Sequence, residues 1–241
     1  MTVCAIHQPN FVPWLGYFLK IALCDKFVYL DNVQFSKGSY TNRVRIIDGH
    51  GRIVWLTVPV EKRGLSAALI KDVRIAKKSI FFDHLMEKIS EYYRKAKHKN
   101  QLFDLLEESY GRGASGISDL NISIIENICT RLGLGTTRLK ASEFSGLPND
   151  STKRLTQICA NIGCDSYITG SGGASYLRRE EFELAGISLM ECRFSEPIFT
   201  REDSNVDGGL SVIERIANTG FEGLREALDE AIESSRMLPL K

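Results

Sequence analysis

The first thirty residues constrain the fold most tightly. A short apolar run, Val3 to Ile6, has the length of a strand. A polar loop follows, then the nearly all-apolar stretch Leu15 to Leu23, then a second short run, Phe27 to Leu30, closing on Asp31. Strand, loop, buried helix and strand make one βαβ unit. In sheets built from such units, ligands bind beyond the C-terminal ends of the strands. His7 through Tyr17 follows the first strand and Asp31 through Arg43 follows the second. Both polar clusters are therefore expected on one rim.

The residue types in those two loops point to a site. His7 can move a proton near neutral pH, and Asp31 is a candidate to orient it or an attacking amine. Asn10 is placed with them as a catalytic candidate. Gln8, Gln34 and Asn42 each carry a donor and an acceptor. Lys37 and Arg43 supply positive charge, and an arginine can grip a carboxylate or phosphate with two parallel bonds. Trp14 and Tyr17 offer flat faces to a sugar or a base. Each has a plainer reading: Pro9 and Pro13 stiffen a loop, and a lone Trp14 fills a core. As a cluster on a rigid scaffold, they favour function.

The later chain repeats the strand–helix alternation around two departures. Asn42–Ile47 and Arg52–Val60 read as strands of a hairpin turning at Asp48-Gly49-His50-Gly51. Leu69–Ile75 reads as another short strand. Residues 77–133 read as helices over 80–95, 101–108 and 117–132, a helical insertion or cap on an α/β core of 1–76 and 134–241. Beyond it come a strand at 137–141, a helix opening near Ser151 as N-cap, a strand at 166–169, a helix at 174–185 and a strand at 187–194. Two helices, 211–218 and 222–235, end the chain around Gly220. The pattern is a Rossmann-like, mostly parallel α/β sheet with a β-hairpin and a helical insertion.

A second candidate site lies at 167–176. Tyr167-Ile168-Thr169 ends a strand, and Gly170, Ser171, Gly172 and Gly173 follow it, with Tyr176 close behind. Glycine lets backbone N–H groups approach an anion. The spacing fits neither a dinucleotide fingerprint nor a P-loop, and taken alone a plain glycine turn is the commoner explanation. Its place on the same rim marks it for phosphate or carboxylate. Lys153 and Arg154, in the first turn of a helix, oppose its dipole. An anionic ligand or simple exposure to water accounts for them equally.

Charge and cysteines narrow the classes. A net charge of +1 over 241 residues excludes a wholly basic nucleic-acid surface. Six cysteines without a CxxC pair and four scattered histidines give no metal signature. No apolar run is long enough to span a bilayer. The expectation is a cytoplasmic protein with buried reduced thiols and no metal, save magnesium carried by a substrate.

HQPNFVPWLGYF, DKFVYLDNVQFSKGSYTNR, WLTVPV, CDSYITGSGGASYL and GGLSVIERIANTG, in that order, resemble the WbqC-like protein family over nearly the whole chain. The resemblance implies a role in bacterial surface-polysaccharide (O-antigen) biosynthesis. The transfer of glycine or another acyl group to an amino sugar is implied with it. The acceptor would be a nucleotide-linked or lipid-linked sugar, with tRNA a partner only as aminoacyl donor. Trp14-Leu15-Gly16-Tyr17 also resembles a degenerate HxGH signature of nucleotidyltransferase-like folds, which bind ATP, although Trp14 and Tyr17 replace both histidines. ATP, an activated acyl donor, and a non-catalytic sugar-nucleotide module all stay open at this point.

Overall fold

The computed structural model describes residues 1–111, 113, 115–174, 177–197, 199–201, 204–205 and 209–240. In chain order the elements are β1 (Val3–His7), α1 (Leu15–Ala22), β2 (Lys26–Tyr29), β3 (Arg43–Ile47) and β4 (Ile53–Thr57). Then come α2 (Lys78–Tyr92), α3 (Lys99–Gly111), α4 (Ile117–Arg131), β5 (Thr137–Lys140), α5 (Ser151–Asn161) and β6 (Ser166–Thr169). The chain continues through α6 (Ser171–Ala174), α7 (Arg179–Leu184), β7 (Ser188–Arg193), β8 (Thr200–Arg201), β9 (Ser204–Asn205), α8 (Ile213–Ser234) and β10 (Arg236–Pro239).

The main sheet has six strands in the order β10-β7-β6-β1-β2-β5. All neighbours run parallel except the edge strand β10, which is antiparallel to β7. Counting only the parallel strands, the spatial order is 3-2-1-4-5, that of a doubly wound α/β sheet. The order reverses between β1 and β6, so the crevice that such folds use for ligands opens there. β3 and β4 form a separate antiparallel hairpin, with Arg45 opposite Trp55.

Alternation along each strand feeds two cores. Ala5, Phe27, Tyr29 and Ile168 face one buried cluster with α1, α4 and α8, while Cys4, Ile6, Val28 and Tyr167 face another with α5 and α7. Each large apolar side chain so buried contributes about 1.5–3 kcal/mol. Helices α2, α3 and α4 bury their apolar faces in the first of these clusters. α4 is tied directly to the sheet, since Glu126 accepts from Tyr29 of β2 and Arg138 of β5.

Several local expectations change. Residues 69–75 form no ladder: Leu69 and Ile75 make single bridges to Gln34 and Val60, with a 3₁₀ turn at Ile70–Asp72 between them. The helix expected at 174–185 is two short ones around residues 175 and 176, which lie outside the described set. The N-cap of α5 is Asp150, not Ser151; its carboxylate accepts from the Lys153 N–H. Strands β8, β9 and β10 had no clear periodic signal.

Candidate functional site

The loop from β1 to α1 is held rigidly. The Asn121 amide donates to the carbonyls of Pro9 and Thr41, the Phe11 N–H donates to Tyr40, and the Ser211 hydroxyl donates to Val12. Val12 sits at φ 31, a strained value for a β-branched residue, and the surrounding bonds hold it there. Gly16 is required by close approach. A Cβ there would stand 2.9 Å from the Phe194 ring and 3.0 Å from the Trp14 indole.

A cavity of about 320 Å³ opens at the switch point, where the ends of β1 and β6 part. His7, Trp14, Lys20, Thr169, Gly170 and Cys192 are among the residues that line it, with Gly172, Gly173 and Phe194. The glycine turn and the β1 loop, 160 residues apart in sequence, therefore meet in one cavity. The Lys20 side chain lies over the turn, its Nζ about 3.4 Å from where a Gly170 Cβ would sit.

Two titratable groups line this space. Burial lowers the Lys20 ammonium to a pKa of about 8. Among the described residues no carboxylate or carbonyl takes a hydrogen bond from it. Burial, and then the nearby charge of Lys20, lower His7 to about 3, so its imidazole is neutral. His7 Nδ1 stands 3.0 Å from the Gln8 carbonyl oxygen. A carbonyl only accepts, so Nδ1 carries the proton and Nε2 keeps a lone pair. Trp14 and Tyr17 brace the ring edge-on, at centroid distances of 5.8 and 4.9 Å. A half-buried ammonium over a glycine turn, with no acceptor among the described residues, can receive a phosphate or carboxylate.

The other expected site residues lie elsewhere. Tyr17 is fully buried behind His7 and donates to the Gln8 carbonyl, so it presents no open face. Asp31 is buried, and its carboxylate accepts from the Ser142 N–H at 2.8 Å and hydroxyl at 2.6 Å. It ties the loop after β2 to the turn after β5 instead of orienting His7. Asn42 bridges the Gly38 N–H and the Val58 carbonyl, and Gln8 accepts from Thr41. Asn10 is buried in the braced loop, outside the cavity lining. Lys37 is exposed, and the Arg43 guanidinium lies 4.0 Å over the Trp55 ring.

Gln34 and Arg154 line a second cavity, near the ends of β2 and β5. There Arg154 donates to the Pro148 and Asn149 carbonyls. Lys153 points toward Glu181, 3.9 Å away. Neither Lys153 nor Arg154 joins the glycine turn. The Ser171 backbone opens α6, whereas Tyr176 lies outside the described residues. No cluster of potential metal ligands occurs among the described residues.

Fold and site together define a doubly wound α/β protein with a cavity at its switch point that brings Lys20, His7 and the glycine turn together. The WbqC-like protein family matches residues 8–226, and the chain belongs to it. It is 32% identical to the "Uncharacterized protein Rv1507c" of Mycobacterium tuberculosis over 227 residues, covering 92% of this chain and 96% of that one. No solved structure gives a significant match. No helix among the described residues is long and apolar enough to cross a membrane.

Proposed function

We propose that the protein transfers an acyl group, glycyl in the simplest case, from an activated donor to the amine of an amino sugar. One observation carries this reading: the Lys20 ammonium, without an acceptor among the described residues, and the neutral His7 imidazole share the switch-point cavity. Forming an amide requires an uncharged amine, a proton acceptor, and positive charge near the developing oxyanion or a substrate phosphate. The amine nitrogen bonds to the donor carbonyl carbon and the bond to the leaving group breaks. The amine proton passes to His7 Nε2 and on to the leaving group. A base whose conjugate acid has a pKa near 3 is weak. An anion seated against Lys20 offsets the charge that depresses His7, so substrate binding itself makes the imidazole more basic.

The test incubates the protein with amino-sugar nucleotides and glycine supplied in turn as a thioester, as glycyl-tRNA and with ATP. Mass spectrometry then looks for a sugar heavier by one glycyl residue. Product with wild type but not His7→Ala is the expected result. The ATP arm separates the nucleotidyltransferase-like alternative, since ATP turnover without an activated donor would favour it. Sugar nucleotides that bind yet stay unchanged with every donor would instead leave a binding module.

A further inference from the structure

An aromatic path leaves the switch-point cavity and crosses the hairpin. Trp14, in the cavity wall, touches Tyr40 at a centroid distance of 5.3 Å, and Tyr40 touches Trp55 at 5.8 Å. Tyr40 is 37% exposed and Trp55 45% exposed, whereas the other aromatics among the described residues are largely covered. Two arginines frame the end of the path. Arg45 stands directly opposite Trp55 in the β3–β4 ladder, and Arg43, two residues away on the same face, stacks its guanidinium on the indole.

Arg43 Nε is buried without a hydrogen-bond partner, and among the described residues neither guanidinium meets a carboxylate. An exposed ring beside two guanidinium groups that have no carboxylate partner among the described residues matches a ligand with a flat apolar face and an anionic substituent.

We propose that this hairpin face is the acceptor's second subsite and that it takes an anionic pyranoside. The sugar ring lies on the part of Trp55 that the stacked Arg43 guanidinium leaves open, and its carboxylate or phosphate meets the edges of Arg43 and Arg45. The proposal rests on reading the switch-point cavity as the transfer site, to which Tyr40 and Trp14 connect it. RNA fits the face less well. It needs a broad basic surface, whereas this path is one ring wide on a chain of net charge +1.

The protein's two tryptophans, Trp14 and Trp55, both lie on this path, so intrinsic fluorescence reports it directly. Titrations with glucuronic acid, glucose 1-phosphate, neutral glucose and a short polyuridine RNA separate the candidate ligands. The two acidic sugars are expected to change the emission and neutral glucose is not. Trp55→Phe should remove the part of that change that arises at Trp55, and Arg43→Gln should weaken binding about tenfold.

Four results would overturn the proposal: equal response to neutral and acidic sugars; a response undiminished in Trp55→Phe and so arising at Trp14 alone; tight RNA binding with no sugar response; or a change on concentrating the protein alone, which assigns the face to a second copy. A response at Trp14 alone leaves the switch-point reading standing. Glycyl transfer without any change at Trp55 removes only the hairpin subsite, while absence of both removes the two together.

Discussion

At the scale of single residues, Lys20 matters most, and its role was the least legible. Leu15–Leu23 read as an apolar helix, and apolar helices are buried. The one cation in LGYFLKIA was therefore the available signal, because a lysine on such a helix either reaches water or is held for a ligand. Its charge is unfavourable where it stands. With a folded pKa of about 8 against 10.5 unfolded, the fold binds fewer protons than the open chain between those values. Its presence therefore costs stability at neutral pH. Lys20→Met is expected to stabilise the protein by about 1–2 kcal/mol in thermal unfolding at pH 7. The same substitution removes the charge that depresses His7, so the imidazole pKa in an NMR titration should rise above about 3. An unchanged His7 pKa would separate the two groups electrostatically.

At the scale of elements, the strands of the βαβ unit, the hairpin and the helices near 78–131 were legible from periodicity and turn residues. Side-chain destinations were not. Asp31 follows a strand at a binding rim, and sequence could not reveal that Ser142, 111 positions away, would occupy both its oxygens. Asp31→Ala should cost about 2–3 kcal/mol in denaturant unfolding, while the folded variant keeps wild-type affinity for pyrophosphate. A lost affinity would return Asp31 to the site. Gly220 was visible as a break, and the structure supplies its cause. Helix α8 kinks there at φ 73, with His98 Nδ1 2.9 Å from a would-be Cβ. Gly220→Ala should therefore destabilise the protein by about 1–3 kcal/mol, measured the same way; a neutral result would mean that His98 and the kink both relax freely.

For the whole molecule, the 3-2-1-4-5 strand order brings residues 7 and 170 to one crevice. The alternation of strands and helices implied such a sheet, but strand order is a property of long-range packing that local patterns do not encode. The same burial has a global consequence in acid. His7 is neutral in the fold down to about pH 3, whereas in the unfolded chain it takes up a proton near 6.5. The stability it contributes is complete above pH 6.5 and is lost progressively as the pH falls toward 3. Chemical denaturation at pH 7 and pH 4 should therefore show a smaller loss of stability for His7→Gln than for wild type. An equal loss in both would show that the imidazole is hydrated and titrates normally.

Calorimetric titration of the protein with pyrophosphate at pH 8, repeated in buffers of different ionisation enthalpy, tests the proposed anion seat at Lys20 most directly. An anion against a half-protonated Lys20 raises its pKa, so wild type should bind with uptake of about half a proton, and Lys20→Met should lose both the binding and the uptake. Binding of equal strength in the two proteins, or none in wild type, would contradict the assignment of this cavity to an anionic substrate.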